Sequence, residues 1–159
     1  MRSLLTLLLF SFLAVTQAHA DRLTGVASVI DGDTLEIRGQ RIRLHGIDAP
    51  ESGQLCATAE GRHWRCGQQA ALSLADRIGR RQISCTVRDI DRYGRVLAVC
   101  HQDGTDLNSW LVREGWAVAY RQYSRAYIGD ETEARSSQRN IWSGHFDMPW
   151  DWRRAQRGG

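Results

Sequence analysis

Apolar and polar residues alternate with a period of two in two runs, Leu35 to Ile37 and Arg41 to Gly46, the pattern of strands with one buried face. Val29 and Ile30 are β-formers, and Asp31-Gly32 marks a turn because glycine tolerates positive φ. Leu35 and Ile37 alternate with polar neighbours. Gly39-Gln40 marks a second turn. Ile42, Leu44 and Gly46 then alternate with Arg41, Arg43 and His45 in a third strand. Pro50 has no N–H to give a ladder and stops it. Upstream, Asp21 to Ile30 runs into the first strand, with Leu23, Val26 and Val29 expected in the core.

The period then lengthens. Between Gly67 and Gly79, Ala70, Leu74 and Ile78 fall at four-residue spacing beside Ala71, which predicts a helix that Gly79 ends. Gln82 to Asp89 and Val96 to Cys100 read as fourth and fifth strands around the turn at Asp91, Tyr93 and Gly94. Asp106 is placed to cap a short helix from Leu107 to Glu114. Trp116 to Tyr120 reads as extended, and a last helix runs from Arg125 or Asp130 to Arg139, with Ile141-Trp142 packing on the core. From Ser143 a tail carries Trp150, Trp152, Arg153, Arg154 and Arg157. It is expected to dock loosely, or else to grip a polyanion. Five short strands, with a helix between the third and fourth, predict an α+β, mainly β fold. It is a five-stranded OB-type Greek-key β-barrel with about three α-helices.

Residues 1–20 differ from the rest. Arg2 precedes an apolar run from Leu4 to Val15, and Ala18-His19-Ala20 fits the small-residue rule for cleavage. This reads as a signal peptide, so the expected product is exported, periplasmic or secreted. Residues 21–142 then form the folded domain and 143–159 the basic, Trp-containing tail. The formal charge is +3, or +2 without Arg2. That is compatible with a polyanion partner and equally with an ordinary solvated surface. In an exported chain the four cysteines read as two disulfides. Cys85 and Cys100 are equidistant from the turn at Arg92-Tyr93 and so face each other across a hairpin, leaving Cys56 to pair with Cys66. No Cys-x-x-Cys supports zinc. Arg62, His63, Trp64 and Arg65 could meet nucleic acid, though a surface loop pinned by the disulfide explains them as well.

The meander leaves carboxylates at its ends: Asp31 and Asp33 at the first turn, Asp48 and Glu51 where the third strand exits. Crowded carboxylates repel unless a cation joins them, and hard oxygen donors suit Ca²⁺ or Mg²⁺. Arg43, five residues before Asp48, would set a rigid cationic fork near the same place, which suits a phosphate. Singly, these are common turn residues. As a set, DGDT, an arginine, IDAPE and the later DRYGR at Asp91–Arg95 make the chain from about residue 24 to 142 resemble the thermonuclease family, the staphylococcal-nuclease-like domains.

The resemblance implies the same barrel and a Ca²⁺-dependent nuclease that cuts DNA and RNA with little sequence preference and leaves 3′-phosphate ends. By position, Asp33 and Asp48 match its calcium-ligating carboxylates. Ala49 matches the residue that ligates through its backbone carbonyl. Glu51 matches the proposed general base, Arg43 the arginine on the scissile phosphate, and Arg95 the arginine that stabilises the pentacovalent state. Asp31 is expected to build the turn and orient Asp33. Tyr120 and Tyr123 fall near tyrosines of the family's nucleotide pocket, one residue out of step. The expected partners are DNA and RNA, and the expected state is a monomer. A non-catalytic OB-fold module binding single-stranded nucleic acid or protein is the alternative. Such a module would be free to lose Asp33, Arg43, Asp48, Glu51 or Arg95, and all five are present.

Overall fold

The computed structural model describes residues 21–158, so the expected signal segment lies outside the described residues. The described residues begin with a three-stranded meander: β1 (Arg22–Asp31), β2 (Thr34–Ile37) and β3 (Gln40–Leu44), followed by the two-residue β4 (Ile47–Asp48). Short strands β5 (Cys56–Thr58) and β6 (His63–Trp64) lead into α1 (Cys66–Ile78), then β7 (Gln82–Ile90), β8 (Val96–Gln102) and β9 (Thr105–Asp106). The remainder is α2 (Leu107–Arg113), β10 (Val118–Ala119), α3 (Ile128–Ser136), a 3₁₀ turn (Asn140–Ser143), β11 (Gly144–His145) and α4 (Pro149–Arg157). The fourth helix adds to the three expected.

Strands run in the order β3-β2-β1-β7-β8, and the barrel closes where β3 pairs with β8 in parallel, Ile42 with Val96, Arg43 with Leu97 and Leu44 with Ala98. Closure removes the exposed edges of an open sheet. Leu35, Ile42, Leu44, Leu74, Ile83, Ala98 and Leu111 fill the interior. Val26 is not in that core. It is 53% exposed, because Leu23, Gly25, Ala27 and Val29 take the inward face and the two-residue period turns Val26 outward.

A second apolar cluster lies outside the barrel. Cys56, Cys66, Val118 and Ile141 are its buried centre, and Trp64, Trp142, Phe146, Met148 and Trp150 pack on it. Trp64 meets Trp116 edge-on at 6.3 Å, so it is a packing residue and does not project to meet a base. Both disulfides form as the spacing predicts, Cys56 with Cys66 and Cys85 with Cys100, the latter directly paired in the β7–β8 ladder. Phe146, Met148 and Trp150 anchor the tail, which is therefore docked firmly and not loosely. Among the described residues no helix is long and apolar enough to cross a membrane.

Candidate active site

The Asp31–Thr34 turn, the β3–β4 exit and α4 meet at one place. In the turn, Asp31 Oδ1 accepts from the backbone N–H of Asp33 at 3.0 Å. Gly32 is required there: a Cβ on it would lie 2.7 Å from the Ala49 Cβ and 3.0 Å from the Ala70 Cβ. This close approach lays the turn on the β4 exit and on α1. The Ala49 N–H, in turn, donates to Asp33 Oδ2 at 3.0 Å, and the Thr34 hydroxyl donates to Asp33 Oδ1 at 3.1 Å. Asp33 is thereby fixed from three sides.

Arg43 joins the two buried carboxylates. Its Nη2 lies 3.2 Å from Asp33 Oδ2 and 2.8 Å from Asp48 Oδ1. Burial works against the Arg43 charge, but Asp33 and Asp48 more than offset it and raise its pKa. Burial also pushes Asp48 up to about 6, against the pull of Arg153, and burial with Asp33 beside it pushes Asp31 up to about 6. Both remain mainly ionised at neutral pH.

Glu51 is positioned by residues that carry no obvious motif. The Gln54 side chain, fully buried, accepts from the Glu51 N–H at 3.2 Å through Oε1 and donates to the Asp147 carbonyl at 2.6 Å through Nε2. Gly67 at the start of α1 has no room for a side chain, since a Cβ would fall 1.7 Å from the Glu51 carbonyl oxygen. The Glu51 side chain is 33% exposed, open to solvent water, whereas Asp48 is sealed. Asp48 is held in turn by the β4–β10 pairing with Val118. Buried Glu131 braces β10 by accepting from the Ala119 N–H at 3.1 Å while pairing with Arg121.

Sequence reasoning placed Arg153 only in the basic tail and did not bring it to this site. It reaches back from α4 to donate to Asp48 through both nitrogens, Nη1 to Oδ1 at 3.0 Å and Nη2 to Oδ2 at 2.8 Å, and Nη1 also meets Glu51 Oε1 at 2.7 Å. Asp48, through these bonds first, and then Glu51 raise its pKa against the cost of burial. The contact spans more than a hundred residues of chain, so no local pattern encodes it.

Arg95 does not join this cluster. Its Nε pairs with Asp91 Oδ2 at 2.7 Å, and the Asp91 Oδ1 also accepts from the backbone N–H groups of Tyr93 and Arg95. It immediately precedes β8, two positions before Leu97, the residue registered with Arg43, and its side chain stacks over Tyr93 at 5.5 Å. Tyr120 and Tyr123 do come together, with ring centroids 5.0 Å apart, and Trp150 of α4 adds a third ring 5.4 Å from Tyr120. Tyr120 and Trp150, with Arg121, Gln122 and Arg154, line a pocket of about 360 Å³. A larger groove of about 620 Å³, lined by His45, Arg88, His101, Asp106 and Tyr127 among others, contains none of the residues expected to act.

Among the described residues no three acidic, histidine or cysteine side chains are grouped to hold a metal ion. The donor set expected here is smaller: two carboxylates, Asp33 and Asp48, and the main-chain carbonyl of Ala49. All are hard oxygen donors, which fits Ca²⁺ or Mg²⁺ by type.

The barrel and this arrangement agree with what the chain is similar to. A family described as staphylococcal nuclease homologue matches residues 41–144, and the chain belongs to that family. A micrococcal nuclease of Shigella flexneri is 35% identical over 158 residues, covering 88% of this chain and 85% of that protein. An uncharacterized endonuclease of Escherichia coli is 34% identical over 161 residues, 96% of this chain and 98% of its own. The succinoglycan biosynthesis protein ExoI of Rhizobium meliloti is 40% identical over 126 residues, 77% of this chain but only 66% of that protein. Family membership supports nuclease or phosphodiesterase activity in general.

Proposed function

We propose that the chain is an exported, Ca²⁺-dependent nuclease that hydrolyses phosphodiester bonds of DNA and RNA with little sequence preference and leaves 3′-phosphate ends. The observation that carries this reading is the convergence of Asp33 and Asp48 on Arg43, with Glu51 beside them and open to solvent. The two disulfides support export, since such bonds persist in oxidising compartments.

Asp33, Asp48 and the Ala49 carbonyl would hold the cation, whose contribution is to offset phosphate charge and to orient water. Glu51 accepts a proton from the attacking water as its oxygen bonds to phosphorus. The P–O5′ bond breaks with its electron pair going to O5′, which takes a proton from solvent water, and the phosphate stays on the 3′ side. Arg43 holds the non-bridging oxygens that gain charge. Arg95 would have to leave Asp91 and swing from the turn before β8 to reach the same phosphate, the role that the family resemblance gives it. Tyr120, Tyr123 and Trp150 offer stacking faces that any base can use, which fits a lack of sequence preference.

Incubating the oxidised protein with single-stranded DNA and with RNA, in Ca²⁺, in Mg²⁺ and in EDTA, tests the reading. Cleavage in Ca²⁺ that EDTA stops is the expected result. Tight binding with no cleavage in any metal would favour the non-catalytic binding module.

A further inference from the structure

We infer that Arg153 is the resident counter-ion of Asp48 and Glu51, that a divalent cation must displace it, and that this side chain therefore sets the cation affinity of the site. The inference rests on the cation-dependent nuclease reading and concerns the control of that same site.

The occupancy of the carboxylate oxygens carries it. Arg43 touches only Oδ1 of Asp48, at 2.8 Å. Arg153 covers both Oδ1 and Oδ2 with a two-pronged contact, and Oδ2 has no other hydrogen-bond partner among the described residues. The same guanidinium extends to Glu51. A planar fork on a carboxylate is the strongest form of this contact, and it uses the lone pairs that a hard cation would need. The guanidinium and the cation are both positive, so they also repel where both cannot be shielded by one carboxylate. Asp48 can therefore serve one or the other, and binding of each weakens binding of the other by the same factor.

The surroundings make such an exchange local. The segment leading to α4 is anchored independently of Arg153 by Phe146, Met148 and Trp150 in the second cluster, by Trp150 against Tyr120, and by the Asp147 carbonyl on Gln54. The Arg153 side chain is 23% exposed and has a way out to solvent, so it can swing away while the helix stays in place. Among the described residues Arg154, its neighbour, pairs only with Asp151 in its own helix, at 3.3 Å. It carries the same charge from the same helix without touching the cluster.

Calorimetric titration of the full oxidised chain with CaCl₂, at fixed ionic strength, tests the inference by binding and not by turnover. Arg153→Gln is expected to bind Ca²⁺ about tenfold or more tightly than the parent. Arg153→Lys keeps the charge but loses the fork and is expected to fall between them, while Arg154→Gln stays within about twofold of the parent. Circular dichroism of each variant confirms that the barrel is folded. Unchanged or weaker Ca²⁺ binding by both Arg153 variants overturns the inference and leaves the nuclease reading standing. Equal tightening by Arg154→Gln overturns it too, since bulk charge would then explain the effect. No Ca²⁺ binding by any of the proteins overturns it together with the Ca²⁺ reading.

Discussion

Gln54 closes on Glu51 from both directions. Its backbone N–H donates to the Glu51 carbonyl at 2.7 Å, and its side-chain oxygen accepts from the Glu51 N–H at 3.2 Å. The same side chain ties the loop to Asp147, just before α4. Gln54→Leu preserves the size but removes both side-chain bonds and leaves the part-buried Glu51 N–H and Asp147 carbonyl without these partners. It is expected to cost about 1–3 kcal/mol in urea unfolding. Loss of up to about 10²-fold in kcat should accompany it, because Glu51 is no longer held in place. Steady-state kinetics beside a melting curve checks both.

Arg43 keeps Asp33 and Asp48 compatible. Arg43→Ala leaves two buried carboxylates facing each other without their shared cation, and a loss of about 3 kcal/mol is expected in the absence of metal. Ca²⁺ that binds only the folded state should restore part of that loss. Urea unfolding with and without CaCl₂ measures it. Activity should fall about 10²-fold or more even in saturating Ca²⁺, because a donor to the charged phosphate is missing.

Asp91 governs the turn that carries Arg95. Despite some cost of burial, the N–H groups of Arg95 and Tyr93 and the Arg95 guanidinium hold the Asp91 carboxyl below the ordinary aspartate range. A carboxylate with a lowered folded pKa stabilises the fold above its unfolded pKa, near 4, and that stability is lost as pH falls through the folded value. Asp91→Ala should therefore lower the melting temperature at pH 7, and the gap from the parent should close below about pH 4. Melting curves at stepped pH test this.

The Cys56–Cys66 bridge ties the loop that follows Glu51 to the start of α1 and sits in the second apolar cluster. Replacing both cysteines by alanine is expected to cost about 2–4 kcal/mol. The loss should appear in thermal unfolding under non-reducing conditions and vanish when the two proteins are compared in strong reductant.

Local pattern carried much of this fold. The Asp-Gly turn and the alternation through Val29 and Leu44 place β1 to β3, and the four-residue spacing of Ala70, Leu74 and Ile78 places α1 within a residue of its ends. Asp106 caps α2 as expected, accepting from the Ser109 N–H. The barrel closure was not legible, because parallel pairing of β3 with β8 joins residues more than fifty positions apart. The motif residues Asp33, Arg43, Asp48 and Glu51 were legible as a set. Arg153, Gln54 and Glu131 were not, since their partners lie far away in sequence or are main-chain groups. One signal was present for α4: Pro149 at the first helical position, where its missing N–H costs nothing. It marks a helix in the tail, but not what that helix touches.

Cleavage by the carboxylate cluster, with a cation and with Glu51 as the proton acceptor, requires both to be present. The most direct measurement follows a 5′-labelled single-stranded DNA with the parent chain and with Glu51→Gln, each in CaCl₂ and in EDTA, and determines the end chemistry of the fragments. Fragments ending in 3′-phosphate are expected from the parent in CaCl₂ only. Cleavage that persists in EDTA, or that Glu51→Gln leaves undiminished, would contradict this mechanism.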